Sequence, residues 1–288
     1  MGKEGKIKMK FQSYPIQHVE LKVENLERSI SFYKKVIGFS VLEKTEKEVF
    51  LTADGETSLL SLKELEHYSP KQGKTTGLYH FAILLPERVY LASILKHFLK
   101  QGIELGASDH LVSEALYLSD PDGNGIEVYA DRDSSTWKWQ NNEVVMDTKP
   151  LDGQNLLNEL PKDEEWKGLP HKTLIGHIHL HVRNLEEAEK FYKEGLGLDI
   201  VTNYGGHALF LSFHRYHHHI GVNVWAGKDA KNPKPEHVGL KSFALFYDTK
   251  EQRDKAIERL ISLGFHVKEQ DDVFTAEDES GNKIKLVF

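Results

Sequence analysis

The chain has 288 residues, 39% of them hydrophobic and 28% charged, and a formal net charge of -7, a balance that excludes disorder as the default and fits about two ordinary domains. Acidic and basic residues are mixed, so no basic patch favours nucleic acid or an anionic membrane; no apolar run approaches the roughly 20 residues that span a bilayer; and residues 1–6 lack the apolar stretch of a signal peptide, so a cytoplasmic location is expected. With no cysteine there is no disulfide and no thiolate, and any metal must sit on His, Asp or Glu, which draws attention to the 16 histidines.

In chain order, Val19, Leu21 and Val23 alternate with polar neighbours as a strand. Asn25 then caps an amphipathic helix carrying Leu26, Ile30, Phe32 and Tyr33 that ends near Gly38, and short strand-like runs follow. A second unit opens with a strand at residues 79–85 and a helix at about residues 89–101. It closes with strands around residues 115–119 and 125–130, joined by the turn Asp120-Pro121-Asp122-Gly123-Asn124. Residues 132–170 are polar, interrupted by Pro150, Pro161 and Pro170, and read as a linker with a short helix near residues 156–160. The remainder repeats the beginning. Residues 175–198, IGHIHLHVRNLEEAEKFYKEGLGL, lie over residues 16–39, IQHVELKVENLERSISFYKKVIGF, matching His177 with His18, Phe191-Tyr192 with Phe32-Tyr33, and Gly197 with Gly38 at one constant offset. Residues 12–131 therefore form a first half of two modules, and residues 171–288 a second half of two more.

Four βαβββ modules, each half opening on a strand-helix phrase that ends FY…GF or FY…GL, resemble the glyoxalase, bleomycin-resistance and extradiol-dioxygenase (vicinal oxygen chelate) superfamily. The resemblance covers nearly everything except the linker and the N-terminal tail. It implies an α+β fold of two domains with curled mixed sheets, each built from a pair of modules, with a metal on the concave face.

Strand alternation turns the apolar half of each strand toward the helix and the other half toward the cleft. The cleft set is His18, Glu20 and Lys22 in module one, and His80, Ala82, Leu84, Glu127 and Tyr129 in module two. Module three offers His177, His179, His181, His217, His219 and Asn223, and module four Ser242, Ala244, Phe246, Lys283 and Lys285. The superfamily takes metal ligands from first and last strands, and two histidines with one carboxylate make the facial triad of non-heme iron(II) oxygenases. By this resemblance His80 and Glu127 are metal ligands; without a metal they would form a buried ion pair. The third ligand is His177 if module two pairs with module three, or His18 if it pairs with module one. His177 is preferred, because Glu20, Lys22, Lys283 and Lys285 occupy the place of a second site and read as charge pairs at a solvated face.

Residues 108–127, SDHLVSEALYLSDPDGNGIE, resemble the extradiol ring-cleavage signature at His110, Tyr117, Asp120, Pro121, Gly123 and Glu127. They depart from it at Ser108, and lie in module two where two-domain relatives carry the signature in module four. The resemblance implies that His110 and Tyr117 hold and polarise a catecholate, and that His219, second of the pair His218-His219, serves as acid and base. Trp225 and Phe246 would suit an aromatic ring. The expected function is extradiol cleavage of a catechol-type diol by O2 at Fe(II), with Mn(II) as second choice of metal. The expected partners are a small aromatic diol and O2, and unpaired sheet edges make a homo-oligomer plausible. One alternative is a glyoxalase- or epimerase-like enzyme on zinc or nickel, which needs a second carboxylate where Ser61 and Asn223 stand. The other is a metal-free protein that binds aromatic compounds or drugs, which has no use for His80, Glu127, His110 and Tyr117.

Overall fold

The computed structural model describes residues 14–70, 74–162 and 164–288. The N-terminal stretch read above for a signal, and the start of the first half at residue 12, lie outside the described residues. All four modules are present. Module one runs from a strand at Ile16–Val23 through a helix at Leu26–Phe32 to strands at Ser40–Lys44, Glu48–Thr52 and Leu60–Glu64. Module two comprises Gly77–Leu85, the helix Arg88–Lys100, and strands Gly106–Asp109, Ser113–Ser119 and Gly125–Asp131. Module three comprises Leu174–His181, the helix Leu185–Glu189, and strands Asp199–Tyr204, Ala208–Ser212 and Ile220–Asn223. Module four comprises Gly239–Phe246, the helix Lys250–Ser262, and strands Val267–Gln270, Val273–Glu277 and Lys283–Val287. Asn25 caps the first helix as expected, its side chain accepting from the Arg28 amide at 2.9 Å. That helix widens into a π turn at Tyr33–Ile37 and stops at Gly38, whose φ of 99° favours glycine.

The modules pair across the two halves of the chain. The first strand of module two lies antiparallel to that of module three, giving a mixed nine-stranded sheet. The first strand of module one pairs in the same way with that of module four in an eight-stranded sheet. The apolar half of each alternation, including Val19, Leu21, Phe81, Ile83, Ile178, Leu180, Phe243 and Leu245, is fully buried in one shared core. The opposite half is left for the clefts. Among the described residues no helix is long and apolar enough to cross a membrane.

Residues 132–170 are more than a spacer. Trp139–Gln140 and Glu143–Val144 form a small hairpin, and Lys149–Pro150 adds an edge strand beside Gly106–Asp109 in the nine-stranded sheet. The helix falls at Gly153–Leu157, earlier than expected, because Asp152 caps it by accepting from the Asn155 amide at 2.9 Å.

Within each half a buried aspartate ties the modules together. The Tyr33 hydroxyl of module one donates to Asp120 of module two at 2.9 Å, while Asp120 also accepts from the amides of Asp122 and Asn124 and from the Asn124 side chain. Tyr192, Asp278 and Asn282 repeat this, with the Tyr192 hydroxyl donating to Asp278 at 2.9 Å. The tyrosine of each FY pair and the aspartate that opens each turn are thus parts of one latch. Tyr33→Phe should cost about 1.5 kcal/mol and Asp120→Ala about 3 kcal/mol or more, because the latter strands several buried donors; urea unfolding midpoints check this order.

Candidate metal centre

Sheet register assembles the site. Tyr117, Glu127, Ala82 and His177 stand side by side on four neighbouring strands. The next row holds Ser119, Gly125, His80, His179, Gly221 and Phe210 in the same way. Small residues in these rows make room for rings: a Cβ on Gly221 would come within 2.9 Å of the His179 imidazole. Ala82, fully buried between Glu127 and His177, leaves the space over the row open.

Ligand atoms of His80, Glu127 and His177 all lie within 4.8 Å of one another. Oε2 of Glu127 is 3.0 Å from Nε2 of His80 and 3.2 Å from Nε2 of His177, and all three residues are buried. Nδ1 of His177, the ring's other nitrogen, is buried and makes no hydrogen bond there. A buried polar atom left unmatched costs about 1–3 kcal/mol, and two imidazoles converging on one carboxylate oxygen are a donor set that a cation fits better than a dry ion pair does. Burial lowers His177 from its ordinary value to about 4, against the pull of Glu127, so it is a neutral imidazole with a lone pair to give. For Glu127 burial acts to raise the pKa, but the neighbouring His177 and His80 outweigh it and hold the carboxyl well below the usual range. A neutral imidazole and an ionised carboxylate are the forms that bind metal.

A pocket of about 370 Å³ opens over this cluster. His110 and Tyr117 both line it, with Nε2 of His110 2.6 Å from the Tyr117 hydroxyl. Nδ1 of His110 lies 2.8 Å from the Asp147 carbonyl. A carbonyl only accepts, so Nδ1 carries a proton and, in the neutral ring, Nε2 accepts from the Tyr117 hydroxyl. Tyr117 is raised well above its ordinary pKa by burial and by Glu127, which keeps that hydroxyl protonated.

His219 does not reach the pocket. Its ring stacks on Tyr216 at 4.7 Å and its Nδ1 accepts from the Phe213 amide at 3.1 Å. His217 and His218 line the pocket instead, with the His218 ring 4.1 Å from that of His177. Strand alternation misled here because the strand begins only at Ile220, and residues 217–219 precede it in irregular backbone. Phe246 lies on the first strand of module four, among the residues of a separate cavity with Tyr247 and Arg259, whereas Trp225 does line the pocket.

Asp131 was missed, although alternation from Glu127 and Tyr129 places it on the same face. One oxygen is 3.0 Å from Nε2 of His217, and the other accepts from the Tyr216 hydroxyl at 2.8 Å. Nδ1 of His217 is 2.8 Å from Nδ1 of His218. A carboxylate accepts, so Nε2 of His217 is the donor there, and the two Nδ1 atoms share one proton; burial holds His218 well below its ordinary pKa, so its ring is neutral and keeps a lone pair. Met146, Asp147 and Thr148 of the presumed linker also line the pocket.

His18 sits in the other sheet, with Nδ1 3.0 Å from the Ser58 carbonyl and Nε2 3.1 Å from the Ser61 hydroxyl. Beside it Glu20 is paired with Lys285 and, at 2.7 Å, with Lys241. Burial would raise the Glu20 carboxyl, but the two lysines bring it down to about 2. These pairs are not at a solvated face: Glu20 is only 5% exposed.

The model of the glyoxalase/bleomycin resistance protein/dioxygenase superfamily matches residues 15–128 and again residues 174–286. The chain belongs to this superfamily. A superfamily relative from Bacillus subtilis (strain 168), named catechol-2,3-dioxygenase, is 47% identical over 282 residues, covering 95% of this chain and 97% of its own. Glyoxalase I from Zea mays shares the fold at a TM-score of 0.57 and 16% identity, over 94% of this chain and 91% of its own. A solved Bacillus subtilis structure does so at a TM-score of 0.62 and 12% identity, over 96% of this chain and 86% of its own. Likeness at that level speaks for the superfamily fold alone.

Two outcomes are expected. His80→Ala and His177→Ala should each lose a tightly held divalent ion, as should Ala82→Leu, which fills the space over the row, while His18→Ala retains it; elemental analysis after gel filtration decides. Second, buried neutral histidines bind protons more readily in the unfolded chain, so stability is full above the ordinary histidine range and is lost as pH falls from about 6.5 toward 4. His177 alone, lowered to about 4, contributes on the order of 3 kcal/mol; the melting temperature of metal-free protein, followed across that window, should drop steeply.

Proposed function

We propose that the chain is an extradiol dioxygenase that opens a catechol-type diol with O2 at an iron(II) ion held by His80, Glu127 and His177. The carrying observation is the convergence of those three donors under a pocket that also contains the Tyr117–His110 pair. The 47% identity to a protein named catechol-2,3-dioxygenase supports it. Two histidines and one carboxylate are the donor set of non-heme iron(II) oxygenases, and bound iron would offer adjacent open positions to diol and O2.

The protein's own groups supply the proton chemistry. A catechol binds a metal through both oxygens only after losing a proton, and the neutral His218 ring, which lines the pocket, is placed to take it. This role belongs to His218 rather than His219. Asp131 and His217 act behind it by holding the His218 ring in place. The Tyr117 hydroxyl, whose proton is given to Nε2 of His110, is positioned to accept a hydrogen bond from a diol hydroxyl. A glyoxalase- or epimerase-like reaction is the weaker reading: Asn223, where a second carboxylate would be needed, is buried and bonded to His179 and His181.

Protein loaded anaerobically with iron(II) should consume O2 on addition of catechol and yield a yellow ring-opened product. No oxygen uptake with any catechol or hydroquinone contradicts the reading. His218→Ala should keep its iron and lose about 100-fold in kcat, and Asp131→Ala about 10-fold; steady-state oxygen electrode rates check both.

A further inference from the structure

The pocket walls have a definite chemical character beyond the groups already assigned. Val112, Met146 and Phe210 supply apolar surface, and Tyr79, Tyr204 and Trp225 add rings that are 40%, 48% and 48% exposed. A ring at the mouth of a small-molecule site that remains this open is available to a ligand. Tyr79 and Trp225 meet edge to face at 5.3 Å, so part of that surface is a preformed aromatic corner.

Among the described residues no lysine or arginine lines the pocket, and its two carboxylates are those of Glu127 and Asp147. The nearby arginines are engaged elsewhere, and the one lysine among these cations stays at the far edge of ion-pair range. Arg132 is held by Asp109 at 2.6 Å and by Glu114 at 3.1 Å, Arg215 lies over the Trp139 ring at 4.3 Å, and Lys149 is 3.9 Å from Asp147 itself. A ring substituent bearing a negative charge that points away from the metal donors would leave water, meet no lysine or arginine and lie near the Asp147 carboxylate. That is the costly way to bury an ion. An apolar substituent lying on Val112, Met146 and Phe210 covers surface that gains from leaving water.

Resting on the diol reading of this site, we infer that the pocket selects catechols carrying an uncharged apolar substituent over catechols carrying a carboxylate. Asp147 and the apolar walls are the specificity-determining elements. The volume of about 370 Å³ lies near the lower end of the range for small-molecule sites, about 300–1,000 Å³, so the preferred ligand is one ring with a modest substituent.

Binding separates this inference from turnover. Zinc has no redox chemistry, so zinc-loaded protein can be titrated calorimetrically in air with 4-ethylcatechol and with 3,4-dihydroxybenzoate, which are similar in size and differ in charge. The expected Kd for 4-ethylcatechol is at least about ten-fold lower, and Asp147→Lys should narrow the gap to about three-fold or less. Equal affinities, tighter binding of the benzoate, no binding of either compound, or a gap unchanged in Asp147→Lys would each overturn the inference. If the affinity gap appears as expected but iron(II)-loaded protein leaves 4-ethylcatechol intact under O2, ring cleavage fails while the ligand selection stands.

Discussion

Everything at the site depends on one strand pairing, the antiparallel ladder between Gly77–Leu85 and Leu174–His181. It joins the two halves of the chain, setting His177 opposite Ala82 and His179 opposite His80. Glu127 reaches the same point because its own strand runs parallel to Gly77–Leu85 in register with Ala82. A slip of one residue in either ladder would turn the histidines into the core and Phe81 or Ile178 into the cleft. The apolar core therefore fixes the placing of the candidate donors: Phe81, Ile83, Ile178 and Leu180 hold the register, and His80, Glu127 and His177 inherit it from the opposite face.

The other module pair shows what the same framework becomes without that donor set. Ile16–Val23 and Gly239–Phe246 are paired as their counterparts are, yet His18 is satisfied by Ser58 and Ser61, and Glu20 by Lys241 and Lys285. His18 and both Glu20 oxygens there have charged or polar neighbours from the chain, while the buried Ser242 hydroxyl has none. In the pair of modules two and three, by contrast, two imidazoles converge on one carboxylate, and Nδ1 of His177 is buried and unmatched. Two sheets of the same topology thus differ in their donors: one carries a carboxylate neutralised by two lysines, the other a carboxylate shared by two imidazoles under an open pocket, and the second is where chemistry is favoured.

Most of the frame was legible because it rests on periodicity. The repeat of residues 16–39 at 175–198 located the modules, and alternation along the first strands separated Val19 and Phe81 from His18 and His80. Alternation also put Glu127, Tyr129 and Asp131 on one face, although Asp131 gained meaning only when its partners His217 and Tyr216 were seen. Those partners come from a segment with no regular period, so neither strand alternation nor the resemblance to paired histidines shows that His218, and not His219, lines the pocket. The 132–170 segment was opaque for a related reason. Polar, proline-interrupted sequence looks the same whether it hangs free or lies against a sheet, and only tertiary contacts show that Met146 and Asp147 wall the pocket and that the Asp147 carbonyl orients His110.

The central claim is that the pairing of modules two and three creates one metal centre with two imidazoles and one carboxylate. X-ray absorption spectroscopy at the iron edge, on anaerobic iron(II)-loaded protein and its Glu127→Gln variant, tests it directly. The account predicts scattering from two imidazole rings in the wild-type protein, with one protein oxygen lost or lengthened in Glu127→Gln. A spectrum with no imidazole scattering, or one unchanged by Glu127→Gln, would contradict it.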